Sequence, residues 1–113
     1  MDTYREFSGY RCMWLMVMFD LPTETKKQKD SYRRFREGLI DDGFIQIQYS
    51  VYLRFCSTDE VLNTHKKRVI NALPSEWQVR LLFFTDKQFE RMQVFYGQAL
   101  TPTEPVPTQI SMF

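Results

Sequence analysis

The sequence predicts an α+β fold, an antiparallel sheet with two helices on one face. Three observations carry this. The run CMWLMVMF (12–19) is continuously apolar and has the length of a strand buried on both faces in the middle of a sheet. Two stretches of helical period follow, each opened by a capping-box pattern. FIQIQYSVYLRF (44–55) and WQVRLLFF (77–84), rich in aromatic and aliphatic residues, read as strands. In order these give β-α-β-β-α-β, the ferredoxin-like arrangement. Many unrelated functions share that arrangement, so it names none of them.

Each element has a local reason. Residues 1–11 are polar and aromatic without clear period and read as an N-terminal arm. After the first strand, Pro22 and the threonines stop it. Thr25 followed by Gln28 fits a capping box, so a helix should begin near Lys26. Tyr32, Phe35, Leu39 and Ile40 recur at i, i+3, i+7 and i+8 and form its apolar face, and Gly43 is placed to close it with a left-handed turn. Residues 44–55 are long for one strand. Tyr49 and Ser50 near the middle favour two short strands with a tight reversal over one long bent strand. Ser57 and Glu60 suggest a second capping box, Val61, Leu62, Val69 and Leu73 a second helical face, and Pro74 its end. Phe89, Met92 and Phe95 predict a short helix over 86–95, stopped by Gly97. TPTEPVPT (101–108) should be extended, and QISMF (109–113) is a short strand-like end. The expected organisation is an arm (1–12), a ferredoxin-like domain (13–97) and a proline-rich linker with a terminal strand (98–113).

Composition narrows the function classes. At 113 residues the chain is one domain, and 43% apolar content marks it as globular. Cys12 and Cys56 form no close-spaced pair, which argues against a disulfide framework or zinc cluster and for a reducing compartment. His65 is the one histidine, too few for a histidine-rich metal site. No apolar run approaches the roughly 20 residues of a membrane span, and the N-terminus lacks a signal-peptide pattern. The expectation is a soluble, cytoplasmic protein with no membrane partner.

Two features stand out as candidate chemistry. Asp20 ends the first strand as an isolated carboxylate. An acid at that place can serve a divalent metal, while the plainer reading is an Asp turn before Pro22. One carboxylate is a poor metal site unless a two-fold copy places a second Asp20 opposite. The second feature is the first helix, which carries Lys26, Lys27, Lys29, Arg33, Arg34 and Arg36 in a chain whose net charge is only +1. At about 100° per residue, Lys26, Lys27, Arg33 and Arg34 lie away from the apolar stripe, with Lys29 and Arg36 at its flank. This is either a phosphate-backbone contact surface or a solvated face with i,i+4 pairs Lys26–Asp30, Asp30–Arg34 and Arg33–Glu37. Lysines near a helix start oppose the macrodipole, a local cost that favours another reason for them. Ser50 and Tyr52 could touch a ligand but more simply pack in the sheet. His65, Cys56, Trp14 and Trp77 read as core residues.

MFDLPTETKK, YRRFREGLIDDGF, IQYSVYLRF, HKKRVINALP and LLFFTDKQFERMQVFYG, in this order, resemble the CRISPR-associated protein 2 family, particularly the form found beside the large RNA-guided nuclease of type II systems. The resemblance covers about residues 13–97, and QISMF also suits it. It implies a homodimer whose final strand, here Gln109, Ile110, Ser111, Met112 and Phe113, is added to the partner's sheet. It implies a subunit of the spacer-acquisition complex, bridging dimers of the CRISPR-associated integrase and binding double-stranded DNA on its basic surface. As the alternative it implies a magnesium-dependent endonuclease cutting single-stranded RNA or duplex DNA. Asp20 would then be the catalytic metal ligand, two copies holding a Mg2+ ion on the dimer axis. A third reading, another ferredoxin-like module such as an RNA-recognition domain, lacks that module's aromatic signature in WQVRLLFF. Two positions depart from the family pattern: Phe19 stands where many relatives have tyrosine, and Gln46 where some carry a basic residue.

Overall fold

The structure is a computed structural model and describes residues 13–75 and 77–101. β1 (Met13–Phe19) leads to α1 (Lys26–Asp41), β2 (Ile45–Gln48), β3 (Val51–Cys56), α2 (Asp59–Asn71), β4 (Val79–Thr85) and α3 (Asp86–Glu90), and a hairpin of β5 (Val94–Tyr96) and β6 (Ala99–Thr101) follows. The main sheet has the order β2-β3-β1-β4, its neighbours all antiparallel. That is the ferredoxin-like α+β fold the sequence predicts.

β1 is central because it is apolar on both sides. Leu15, Val17 and Phe19 face α1 and α2, packing with Phe35 and Leu39 of the first helix and Leu62 and Val69 of the second. Trp14 and Met16 alternate to the opposite face and join Leu53 and Phe89. Trp14 is fully buried there, its ring stacked on Phe89 at 4.3 Å and its indole N–H donating to Asp86 at 3.0 Å.

α1 starts where its capping box places it. The Thr25 hydroxyl accepts from the Gln28 amide, and the Gln28 side chain accepts from the Thr25 amide. Gly43 follows its end at φ 92°, and its amide donates to the Ile40 carbonyl. Of the expected apolar face, Phe35 and Leu39 are buried and Tyr32 is half-buried, but Ile40 lies exposed at the stripe's edge. The 44–55 run is two strands joined through Tyr49 and Ser50, as expected.

Three expectations need correction. α2 is capped by Thr58, whose extended backbone lets its hydroxyl accept from the Val61 amide; the Ser57–Glu60 pattern was one residue early. Leu73 lies beyond the helix end and is exposed, and His65 takes its place on the buried stripe with Leu62 and Val69. The short helix expected over 86–95 ends at Glu90. Val94, Phe95 and Tyr96 pair instead with Thr101, Leu100 and Ala99 across a two-residue turn, in which Gly97 adopts φ 64°. Phe89 alone supplies the burial of α3, whereas the Val-Phe-Tyr triplet before a glycine suits a hairpin. The N-terminal arm, most of the proline-rich segment and the terminal strand Gln109–Phe113 lie outside the described residues. No described helix is long and apolar enough to cross a membrane.

Candidate functional site

The end of β1 meets the β2–β3 turn. β1 and β3 pair with Met18 opposite Val51, and the Phe19 amide donates to the Ser50 carbonyl at 3.1 Å. Carried one residue further, that register sets the exposed Asp20 beside Tyr49. Phe19 itself is buried, stacked with Tyr52 at 5.7 Å and edge-on to Phe35 at 5.0 Å. A phenylalanine at this position therefore serves the core and offers no hydroxyl to the site.

Sequence reasoning missed what surrounds Asp20. Ser50 is the one described non-glycine residue with positive φ, at 63°. Its hydroxyl lies 3.0 Å from the Tyr32 hydroxyl, and the Tyr32 ring stacks on Tyr49 at 5.9 Å with 20° between the planes. Hydrogen bonding to Tyr32 is the largest influence pushing the Tyr49 phenol up, and the charge of Asp20 adds to it. Burial pushes the Tyr52 phenol up as well, and the Arg36 guanidinium pulls the other way without prevailing. The only signal in the sequence was the QYS turn, where a serine occupies a place that glycine or asparagine fills more easily.

The α1 cations are where the helical wheel put them. Lys26, Lys27, Lys29, Arg33 and Arg34 are exposed, and Arg36 is half-buried against the sheet side. Arg33 sits between Asp30 at 3.6 Å and Glu37 at 3.5 Å. Asp30 thus meets Arg33, at i+3, where Arg34 at i+4 was expected. Both pairs are exposed and worth little in stability, so the helix face stays basic. It lies alongside the aromatic cluster, because Tyr32 belongs to the same helix.

Asp20 alone does not make a metal site. Among the described residues no group of three or more His, Cys, Asp or Glu side chains converges. One carboxylate leaves most of the octahedral shell of a magnesium ion without protein ligands, so a single chain does not fit the ion that the sequence resemblance implies.

A second polar cluster lies elsewhere. The Asp42 carboxylate meets His65 Nδ1 at 2.6 Å and accepts from Arg68 at 2.6 Å, and the Arg54 Nε–H donates to the Asp42 carbonyl at 2.9 Å. Arg54 pairs with Leu15, which at the strand rise is roughly 17 Å along β1 from Asp20. This cluster ties the end of α1 to α2 and β3 and is structural. Cys56 is fully buried and its thiol is pushed up to about 11, chiefly by that burial, which disarms it as a nucleophile.

Against protein-family models, residues 13–92 match the family described as CRISPR associated protein Cas2. The chain belongs to the Cas2 family. A relative from Flavobacterium psychrophilum, named CRISPR-associated endoribonuclease Cas2, is 41% identical over 99% of this chain and 97% of its own length. One of the same name from Parvibaculum lavamentivorans is 45% identical over 89% of this chain and 100% of its own. A solved structure described as a crystal structure of cas2 superposes with a TM-score of 0.54 at 18% identity, covering 85% of this chain and 99% of that one, which supports the Cas2 fold.

Proposed function

We propose that this Cas2-family chain is the homodimeric subunit of a CRISPR spacer-acquisition complex, binding duplex DNA on α1 and bridging integrase dimers. The observation that carries the reading is the exposed basic face of α1. A row of cations on one rigid helix neutralises backbone phosphates without reading sequence, as a scaffold for arbitrary spacer DNA requires. Homodimerisation is supported by the sheet face opposite α1 and α2. There Met18, Ile45, Ile47 and Val51 are only half-covered, and Leu82 is 47% exposed.

A second reading, a metal-dependent endoribonuclease, is favoured by the names of the relatives and by one geometric fact. Asp20 is exposed and directly follows β1, at the end of the sheet where Met18 and Val51 border that open face. A second copy docked there brings its own Asp20 towards the first, which is how two chains could supply the ligands that one lacks. Magnesium would be held only in that dimer.

One experiment separates the readings. Arg33→Glu with Arg34→Glu should weaken duplex DNA binding about tenfold or more, flatten its salt dependence and abolish spacer acquisition in cells. Asp20→Ala should leave both intact while eliminating RNA cleavage by purified protein. Unchanged DNA affinity in the arginine variant would refute the scaffold reading. Cleavage that survives Asp20→Ala would refute the assignment of the nuclease to that carboxylate.

A further inference from the structure

We propose that Tyr49 is a stacking platform for an unpaired nucleobase, so that this end of the sheet grips single-stranded nucleic acid beside Asp20. The inference rests on the nucleic-acid reading of α1 and adds to it a site that duplex binding does not need.

Four observations converge on it. Tyr49 is 73% exposed, although it is an aromatic residue in a tight turn. One side of its ring is backed by Tyr32 in a near-parallel stack, so the ring is supported and its outer part faces water. The turn that presents it is held at both sides, by the Phe19 amide on the Ser50 carbonyl and by the Ser50 hydroxyl against that of Tyr32. Ser50 holds φ 63°, which a side-chain-bearing residue adopts only at some cost. Glycine would make the same turn without that cost, and serine keeps the hydroxyl that fixes Tyr32 beneath Tyr49.

The chemistry of the surroundings identifies the ligand. Unpaired bases are bound by a π-face next to cations that follow the phosphates. Lys29 lies three residues before Tyr32 and Arg36 four after it, so both neighbour Tyr32 on the helix surface. A pre-set tyrosine loses little conformational freedom on stacking. The phenol is also held in its neutral form, by Tyr32 first and then by its other neighbours, so it neither repels a phosphate nor serves as a general base. In a duplex the bases are already stacked on one another, so this platform is useful only to a single strand or a frayed end.

The test measures binding of the full chain to a labelled single-stranded oligonucleotide and to a labelled duplex of the same length, by fluorescence anisotropy. Tyr49→Ala should weaken single-strand binding by about tenfold or more and leave duplex binding unchanged. Tyr49→Phe, which keeps the ring, should retain single-strand binding. Unchanged single-strand affinity in Tyr49→Ala would overturn the proposal, as would a wild-type chain that binds no single strand. Conversion of Tyr49→Ala to a monomer by light scattering would overturn it too, because the ring would then be an interface residue. A duplex affinity indifferent to Arg33 and Arg34 strikes the reading of α1 instead, and the two failures are distinguishable.

Discussion

Cys56 shows how a single buried group sets a pH dependence. It ends β3 with no exposed surface, and burial raises its thiol from 9.0 to about 11 against the opposing pull of Arg54. Below about pH 9 the thiol is protonated in both the folded and unfolded chain, and its full contribution to stability is present. Between about 9 and about 11 the unfolded chain releases the proton and the folded one does not, so stability falls as pH rises. Urea midpoints measured from about pH 8 to about pH 10 should decline more steeply for the wild type than for Cys56→Ala, with a difference on the order of 1 kcal/mol at the upper end. Parallel declines would show that the thiol ionises at its ordinary value in the fold. The candidate site was only half legible at this scale. Asp20 announced itself as the one acid ending an apolar run. Tyr49 did not, since in FIQIQYSVYLRF it is one aromatic among several and its stack on Tyr32 depends on the backbone of Ser50. A dihedral angle at one residue is not written in the hydrophobic pattern.

Two glycines of the first helix and its exit behave as opposites. Gly43 closes α1 at φ 92°, and a Cβ there would sit 3.2 Å from Arg54 Nε, the atom that donates to the Asp42 carbonyl. Gly43→Ala should therefore both strain the turn and push the guanidinium off its acceptor, costing about 1–3 kcal/mol in urea denaturation. Gly38 lies inside the same helix with nothing within 4 Å of its would-be Cβ. Gly38→Ala should stabilise by about 0.5–1 kcal/mol, since alanine restricts the unfolded chain and suits a helix. A loss of stability at Gly38, or none at Gly43, would contradict this account of the helix and its stop. Elements of this kind were the most legible part of the fold, because caps and stops are local chemistry: Thr25 with Gln28 and Gly43 bracket α1 where the sequence put them. The segment after α3 was not. Phe89, Met92 and Phe95 fit a helical stripe, and nothing local says that the stripe has nothing to bury Phe95 against. Pairing of Val94–Tyr96 with the following strand decides the matter, and that pairing lies beyond the window in which helical period is read.

The molecule as a whole has two unequal sheet faces, and the dimer reading turns on that inequality. α1 and α2 cover Leu15, Val17 and Phe19 completely or nearly so. Among the described residues, the other face is covered by Phe89 of α3 and by Met92 just beyond that helix, around Trp14, and the far end of the sheet is left with Met18, Ile45, Ile47, Val51 and Leu82. Apolar surface gathered in one place, rather than scattered, marks an interaction face. A two-fold copy is self-complementary on such a face, and with the axis near the end of β1 its docking would bring the two Asp20 carboxylates together. Leu82 is the discriminating position. It is already half in water in one chain, so Leu82→Asp should leave the thermal unfolding of dilute protein within a few degrees of the wild type. Buried in a dimer, the same aspartate would be an unpaired charge in an apolar interface, a cost of several kcal/mol that shifts the dimer to monomer at micromolar concentration. Asp20→Asn supplies the contrast: it removes like-charge repulsion between the two chains, so the dimer should persist or tighten when magnesium is withheld. Light scattering that finds Leu82→Asp still dimeric would place the interface elsewhere, and with it would go the argument that two chains bring their Asp20 residues together.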